Sequence, residues 1–119
     1  MAGRRWIWIE GNHDAGPLNI GGTHLAQFET GPLTFRHIAK VNSNGEISGH
    51  YHPKASVKIK SGSLTRPCFL IDETRAILPA FGAYTGGLKT TDPAFSPLMG
   101  ENAIAVLTGA QALPIPMPR

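Results

Sequence analysis

The chain lacks the means to cross-link itself, because Cys68 is the only cysteine among its 119 residues. An intramolecular disulfide is excluded, and a reducing, cytoplasmic location is the natural expectation. Cys68 lies in the apolar run 67–71, which predicts a buried small hydrophobe rather than a nucleophile. No apolar run approaches the roughly 18 residues of a membrane span, so no membrane partner is expected. The run at 6–9 is also too short for a signal peptide.

The sequence also offers little support for long helices. The sequence holds 14 glycines and 10 prolines, which favours many turns. Short apolar or alternating segments separated by turn residues predict about seven strands and at most two short helices. The expected fold class is therefore α+β and strand-dominated, with mostly antiparallel pairing. Residues 1–119 are expected to be one domain or part of one.

The individual segments follow from local patterns. Residues 33–41 predict a strand, Asn42 to Gly45 a turn, and Glu46 the start of a return strand. Residues 23–29 predict one or two helical turns, and Asp92-Pro93 the start of a short helix. Further strands are expected at 6–9, 55–60, 64–71, 76–81, 103–107 and 110–115, with a proline-rich tail from 114 that cannot continue a regular strand.

Two clusters carry the chemistry: Gly11-Asn12-His13-Asp14 and Gly49-His50-Tyr51-His52-Pro53, with His37 between them. His50 and His52 are two residues apart at the end of a strand, where an extended backbone would place both imidazoles on one face. Gly49 would let the backbone approach closely. Imidazoles together with the amide oxygen of Asn12 fit a divalent metal site. By itself, His37 would be interpreted as an ordinary core histidine. It becomes a candidate ligand only because His50 and His52 are present as well.

His13 stands beside Asp14, an arrangement that holds an imidazole in one tautomer. Such a histidine suits acid catalysis or stabilisation of a transition state better than metal ligation. The alternative is a helix cap by Asp14. The glycine-rich stretch 82–87 is either a plain turn or a wall of a substrate cleft that brings Tyr84 and Thr85 near a phosphate. It does not match a P-loop.

Gly-Asn-His-Asp, a separate histidine and Gly-His-x-His resemble the last three motifs of the calcineurin-like metallophosphoesterases. The stretches 66–70 and 78–88 narrow the resemblance to the bacterial DNA ligase-associated members. The resemblance implies the C-terminal half of an αββα sandwich. It implies that Asn12, His37 and His50 bind one metal of a pair and His52 the other. It also implies that His13, supported by Asp14, faces the scissile phosphate.

The same resemblance implies the cofactor and the partners. The complete family site holds two divalent metals, with manganese expected first and iron, zinc or nickel as alternatives. The substrate would be a phosphoester, with DNA as a candidate, and the setting DNA repair beside a DNA ligase and a helicase. The mildly basic net charge of +3 suits a phosphate-bearing substrate.

The sequence departs from the family pattern ahead of Gly11. The family opens with Asp-x-His and Gly-Asp motifs, and the first ten residues contain no aspartate. The expectation is therefore a truncated chain that binds at most one metal and is weakly active or inactive. The alternatives are a non-catalytic metal- or partner-binding piece of such an enzyme, and a DNA-contacting module that uses the basic side chains Lys54, Lys58, Lys60 and Arg66.

Overall fold

Extended backbone dominates the computed structural model, which describes residues 7–9, 23–25, 27–80 and 86–119. The predicted strand-dominated fold class is confirmed. One short 3₁₀ helix, Pro93–Phe95, occurs in the described residues, where the Asp92 carboxylate accepts the N–H of Ala94 at 2.9 Å as the predicted cap. The strands are β1 Ile7–Ile9, β2 Thr23–Leu25, β3 Gln27–Thr30, β4 Leu33–Arg36, β5 Glu46–Ser48, β6 Lys54–Ile59, β7 Gly62–Ile71, β8 Arg75–Ile77, β9 Ile104–Leu107 and β10 Leu113–Pro116.

One mixed sheet organises most of these strands, in the order β10-β9-β7-β8-β5-β4-β3. The long strand β7 pairs with β6 along its first half and with β9 and β8 along its second half. β1 and β2 form a separate parallel pair. Five of the eight strand pairings among the described residues are antiparallel, which confirms the expected preference.

The pairing of β4 with β5 corrects the sequence analysis, which expected an antiparallel return after the 42–45 turn. The turn exists, with positive φ at Asn42 and Gly45. However, β4 ends at Arg36 rather than at residue 41, and the loop 37–45 carries the chain back before β5 begins. β4 and β5 therefore run parallel, and β5 is also parallel to β8. The predicted turn at 42–45 is present. Its residues do not indicate, however, that the chain reverses direction earlier in the 37–45 loop.

Two further expectations were wrong. Residues 23–25 and 27–29 lie in β2 and β3 rather than in helical turns, because pairing with β1 and β4 overrides a weak local preference. Pro114 and Pro116 lie within β10, at the edge of the sheet. Met117 donates its N–H to the Ala103 carbonyl at 3.0 Å, so strand alternation turns both proline nitrogens away from β9.

The core lies against the second half of β7. Its fully buried members include Leu70, Ile77, Ala105 and Phe95. Cys68 is also fully buried, as predicted, and loss of solvation raises the pKa of its thiol to about 12. The thiol is therefore protonated at neutral pH and serves as a small apolar side chain.

A buried carboxylate ties the three parallel strands together. Glu46 of β5 accepts a hydrogen bond from Arg75 Nη1 of β8 at 2.7 Å, and its other oxygen lies 3.1 Å from Arg36 Nε of β4. The second contact is an ion pair only, because Arg36 Nε lacks hydrogen-bond alignment. The same oxygen accepts the N–H of Lys40 at 2.9 Å. Glu46 thus links both flanking strands and the 37–45 loop.

The turn after β7 is held by Asp72. Its Oδ1 accepts the N–H groups of Thr74 and Arg75 and the Thr74 hydroxyl, while Oδ2 accepts the N–H of Gly100 at 2.9 Å. Partial burial alone would raise the pKa of this carboxyl, but the hydrogen bonds from Gly100, Thr74 and Arg75 lower it below its usual value. Asp72 therefore joins the β7–β8 turn to the 96–102 segment.

Glu46→Gln should lower the free energy of unfolding by about 3–5 kcal/mol, because it leaves two buried or half-buried guanidinium groups without a counter-charge. Urea denaturation followed by circular dichroism measures the change. Glu73→Gln, in the exposed part of the 72–74 turn, is the matched control and should change stability by less than about 0.5 kcal/mol. Equal effects of the two substitutions would contradict a structural role for the carboxylate of Glu46.

Asp72 should contribute to a loss of stability in acid. Because its folded-state pKa is lowered, its contribution is present above the unfolded value near 3.8 and is lost as the pH falls through the lower folded value. Urea midpoints measured from neutral pH down to about pH 2 should fall more steeply in the native chain than in Asp72→Asn. Glu101→Gln, at an exposed position, is the control. Identical acid slopes in the native chain and Asp72→Asn would refute the role of Asp72.

Candidate functional site

The carboxyl ends of the three parallel strands meet at one edge of the sheet. His37 directly follows β4, Gly49 follows β5, and Leu78 follows β8. The Gly49 N–H donates to the His37 carbonyl at 3.0 Å, and the Leu78 N–H donates to the Ser48 carbonyl at 2.8 Å. Residues beyond the carboxyl ends of neighbouring parallel strands are brought together by this topology, as in open α/β sheets.

The structure brings His37 and His50 into direct contact. The Nδ1 atom of His50 lies 3.0 Å from the Nε2 atom of His37, and the two rings meet edge to face with centroids 4.9 Å apart. Both side chains are half-buried. A single proton shared in an N–H···N hydrogen bond satisfies this geometry, as does a cation held by both nitrogens.

The backbone at the second cluster is not extended, which corrects the expected presentation of His50 and His52 on one strand face. φ is 57° at His50 and 48° at His52, so both residues are in the left-handed region. Between them, the Tyr51 N–H donates to the Gly49 carbonyl at 2.6 Å. Left-handed backbone at a residue other than glycine costs about 1–3 kcal/mol and is concentrated at functional sites.

Aromatic packing holds this strained segment against the core. The Tyr51 ring meets the ring of His50 with centroids 5.0 Å apart and the ring of Phe95 with centroids 5.6 Å apart, both edge to face. Phe95 is fully buried, and Pro53 is buried at the end of the segment. The orientation of His50 is therefore fixed by contacts that extend into the interior.

Gly87 supports the other side of the segment. Its φ is +106°, and a Cβ atom there would overlap the carbonyl oxygen of His52. Gly49 has no comparable constraint, since an added Cβ would meet no heavy atom of the described residues within 4 Å and its φ is not positive. Among the described residues, the close backbone approach is therefore made at position 87, and the close approach expected at Gly49 stays a prediction.

The histidine pair passes a simple geometric test for shared ligation. Imidazole nitrogens bind zinc and similar ions at about 2.0–2.1 Å, so two adjacent ligands of one ion lie roughly 3 Å apart. The separation of 3.0 Å between His50 Nδ1 and His37 Nε2 is compatible with this distance. Within the described part of the chain, no group of three or more histidine, cysteine or acidic side chains is arranged to hold a metal ion.

Of the other predicted site residues, the structure describes one, and five lie outside the described residues. His52 lies in the described residues and is half-buried, two positions after His50. The predicted ligand Asn12, the predicted acid pair His13 and Asp14, and the cleft residues Tyr84 and Thr85 lie outside the described residues. Their roles stay predictions.

The buried Arg36–Glu46–Arg75 cluster was not predicted from the sequence. Arg36 directly precedes His37 in the sequence, and its contact with Glu46 secures the strand from which His37 emerges. A glutamate at the first position of a three-residue strand resembles a solvent-exposed residue in sequence. The signals of its burial are Arg75, its register partner on β8, and Arg36, which lies two residues beyond its register partner Thr34 on β4, and both contacts are non-local.

A groove elsewhere on the surface is a weaker candidate. It is lined by Asn42, Ser43 and the segments 72–75 and 96–102, and none of the three described site histidines borders it. Asp72, an acidic residue of this groove, already accepts four hydrogen bonds from neighbouring residues and is occupied by them. The histidine edge of the sheet is therefore the better functional candidate.

Among solved structures, the chain is similar to the crystal structure of the Pseudomonas putida nuclease MPE. The sequences are 28% identical, the TM-score is 0.64, and the match covers 93% of this chain and 54% of the nuclease chain. This chain thus spans about half the length of the structure that it matches. No protein-family model and no curated protein matches it. The chain therefore shares a nuclease-like fold over most of its length.

No helix in the described residues is long and apolar enough to cross a membrane.

Gly87→Ala should displace the His52 segment, because the new methyl group would overlap the His52 carbonyl and the backbone is unfavourable for alanine. We expect a loss of at least about 1 kcal/mol in stability, together with shifted imidazole NMR signals of His52. Gly100→Ala, where an added Cβ makes only an ordinary contact 3.6 Å from Asp72 Oδ2, is the control. Unchanged His52 signals in Gly87→Ala would show that position 87 does not set the histidine geometry.

Proposed function

We propose that this chain is the histidine-bearing part of a metal-dependent phosphoesterase that hydrolyses nucleic-acid phosphodiesters. The observation that carries the proposal is the His37–His50 contact of 3.0 Å, built where two parallel strands end. The similarity to a nuclease over 93% of the chain supports the same reading. The strained, core-anchored backbone of His50, which brings its imidazole against that of His37, is better explained by ligation than by packing alone.

In this proposal, His37 and His50 hold one divalent ion together with Asn12, and His52 would serve the second metal of the complete family site. When bound, such an ion polarises phosphoryl oxygens and lowers the pKa of water. Manganese is the first candidate, with iron, zinc or nickel as alternatives, because mixed imidazole and amide ligands accept all of them. The chain's own contribution is a pair of imidazoles whose separation is already that of neighbouring ligands.

His13 is proposed to face the scissile phosphate, with Asp14 holding its imidazole in one tautomer. In that position its N–H would donate to the leaving oxygen or to the charge that develops on the phosphoryl group. Tyr84 and Thr85 are proposed to line the cleft. These assignments rest on the sequence motifs. The residues concerned are proposed to lie beside the histidine edge that the described residues form.

The calcineurin-like metallophosphoesterases of the DNA ligase-associated type remain the proposed family, with residues 1–119 as one partial domain. Because the chain spans about half of the nuclease that it resembles, the activity of a whole enzyme is proposed only in outline. We expect at most one tightly held metal per chain. A role in DNA repair beside a ligase and a helicase belongs to the same proposal.

One observation favours a second candidate function. The described residues contain a histidine pair but no cluster of three or more metal-binding side chains. A non-catalytic piece that binds one metal or a partner protein would need nothing more. The two candidates differ in turnover, since the enzyme hydrolyses a phosphodiester and the binding piece does not.

Metal binding should depend on the histidine pair. Titration calorimetry with Mn²⁺ should give about one site per chain. His37→Ala or His50→Ala should weaken Mn²⁺ binding by more than the 10–100-fold typical of losing a residue that only hydrogen-bonds to a metal ligand. His24→Ala removes a histidine outside the proposed set and should leave the affinity unchanged. Equal Mn²⁺ affinity in the native chain and in both site variants would overturn the proposed ligation.

Hydrolysis separates the two candidates. The proposed enzyme should release nitrophenolate from bis(4-nitrophenyl) phosphate in Mn²⁺ and lose this activity in His50→Ala. Metal binding that survives without any turnover in the native chain would favour the binding piece. Turnover that persists undiminished in both histidine variants would refute the proposed site.

A further inference from the structure

One face of the β6–β7 hairpin carries lysines and hydroxyl groups. Ser56 and Thr65 are directly opposite each other in the pairing, and their hydroxyl oxygens lie 2.6 Å apart, which identifies the face that they share. Side chains two residues apart on a strand point to the same side. Lys54 and Lys58, on either side of Ser56, therefore belong to this face.

A third lysine joins them from a distant part of the chain. Lys89 pairs with Lys54 in a parallel bridge. The Lys54 N–H donates to the Leu88 carbonyl at 2.9 Å, and the Thr90 N–H donates to the Lys54 carbonyl at 3.0 Å. Paired residues of adjacent strands direct their side chains to the same side, so Lys89 extends the face beyond the edge of β6. Lys54, Lys58 and Lys89 are called the lysine face below.

Arg66 does not belong to the lysine face. It pairs with Ala55, which is buried on the opposite side of the hairpin, and its Nε atom would lie 3.9 Å from a Cβ atom at Gly109. The expected group of Lys54, Lys58, Lys60 and Arg66 is therefore divided by strand alternation. This division supplies a matched control on the same hairpin.

Among the described residues, no carboxylate forms an ion pair with the lysine face. Residues 51–71 contain no aspartate or glutamate. Within the described residues, Lys54, Lys58 and Lys89 make no ion pair, since both salt bridges there belong to Glu46. Lys58 and Lys89 are exposed, and Lys54 is half-buried. Unpaired cations in a row attract a partner with repeated negative charge.

The lysine face begins next to the candidate site, because Lys54 lies two residues after His52. Lys58 lies four residues further along β6, roughly 13 Å from Lys54 at the rise of an extended strand. We propose that the lysine face binds the phosphate backbone of a single nucleic-acid strand and leads it toward the histidine edge. The choice of nucleic acid as partner rests on the proposed function, whereas the binding surface rests on the geometry of the hairpin.

The composition of the face favours nucleic acid over a lipid surface. Peripheral membrane binding combines basic residues with apolar side chains that insert into the bilayer. Between Lys54 and Lys58 the face instead carries the hydroxyls of Ser56, Ser63 and Thr65. Lysine and hydroxyl side chains are the usual donors to phosphate oxygens. Ile59, an exposed apolar residue of the hairpin, lies on the opposite side by alternation.

The test is a binding measurement without turnover. Anisotropy of a labelled single-stranded oligothymidine, titrated with the full chain in EDTA at about 50 to 200 mM salt, gives the slope of log K against log salt. Lys58→Gln with Lys89→Gln should reduce the slope by about 1.4, since each phosphate contact on a single strand contributes roughly 0.7. Lys40→Gln with Arg66→Gln removes the same charge elsewhere and should leave the slope unchanged. All four side chains are exposed, and circular dichroism confirms that the variants fold.

Equal slopes for the two double variants would overturn the inference, as would a larger change in the Lys40/Arg66 variant. Binding to anionic phosphatidylserine vesicles but not to the oligonucleotide would also overturn it. The measurement is independent of catalysis because EDTA removes the metal. If the Lys58/Lys89 variant has a reduced slope but the chain does not bind Mn²⁺, the inference is supported and the proposed enzyme is rejected. If the chain binds Mn²⁺ but its DNA binding does not depend on salt, the inference is rejected and the proposed enzyme is supported.

Discussion

The buried carboxylate of Glu46 is the constraint on which the histidine edge depends. It contacts one arginine from each flanking strand and also accepts a backbone N–H from the 37–45 loop. A buried charge is tolerated only when it is paired and hydrogen-bonded, so the two arginines and the glutamate require one another. Their mutual requirement fixes β4, β5 and β8 in parallel register. Parallel register, in turn, places the residues after each strand at the same edge.

The site itself combines rigid support with local backbone strain. His37 and His50 meet at 3.0 Å because the strands before them end together, whereas the left-handed backbone at His50 and His52 turns the second cluster out of the strand direction. Tyr51, packed against Phe95, and Gly87, beneath the His52 carbonyl, hold that conformation. Positioning of this kind lowers the entropic cost of capturing a ligand, because the imidazoles are already near their bound arrangement.

The sequence predicted what is local. The β6–β7 and β9–β10 hairpins, the Asp92 cap and the burial of Cys68 follow from alternation, turn residues and an apolar context. The parallel pairing of β4 with β5 did not follow, because it depends on a crossover and on arginines supplied by other strands. The left-handed histidines were equally invisible, since nothing distinguishes them from histidines of ordinary backbone. The motifs correctly indicated that His37 and His50 lie together, and their role as ligands remains a prediction.

We propose above that His37 and His50 bind one divalent ion together. Electron spin echo spectroscopy of the Mn²⁺-loaded chain tests it directly, because nitrogen coupling reports imidazoles bound to the ion. We expect coupling from at least two imidazole nitrogens in the native chain, with one lost in His37→Ala. A Mn²⁺ spectrum without nitrogen coupling, or one that is the same in the native chain and in His37→Ala, would contradict the claim.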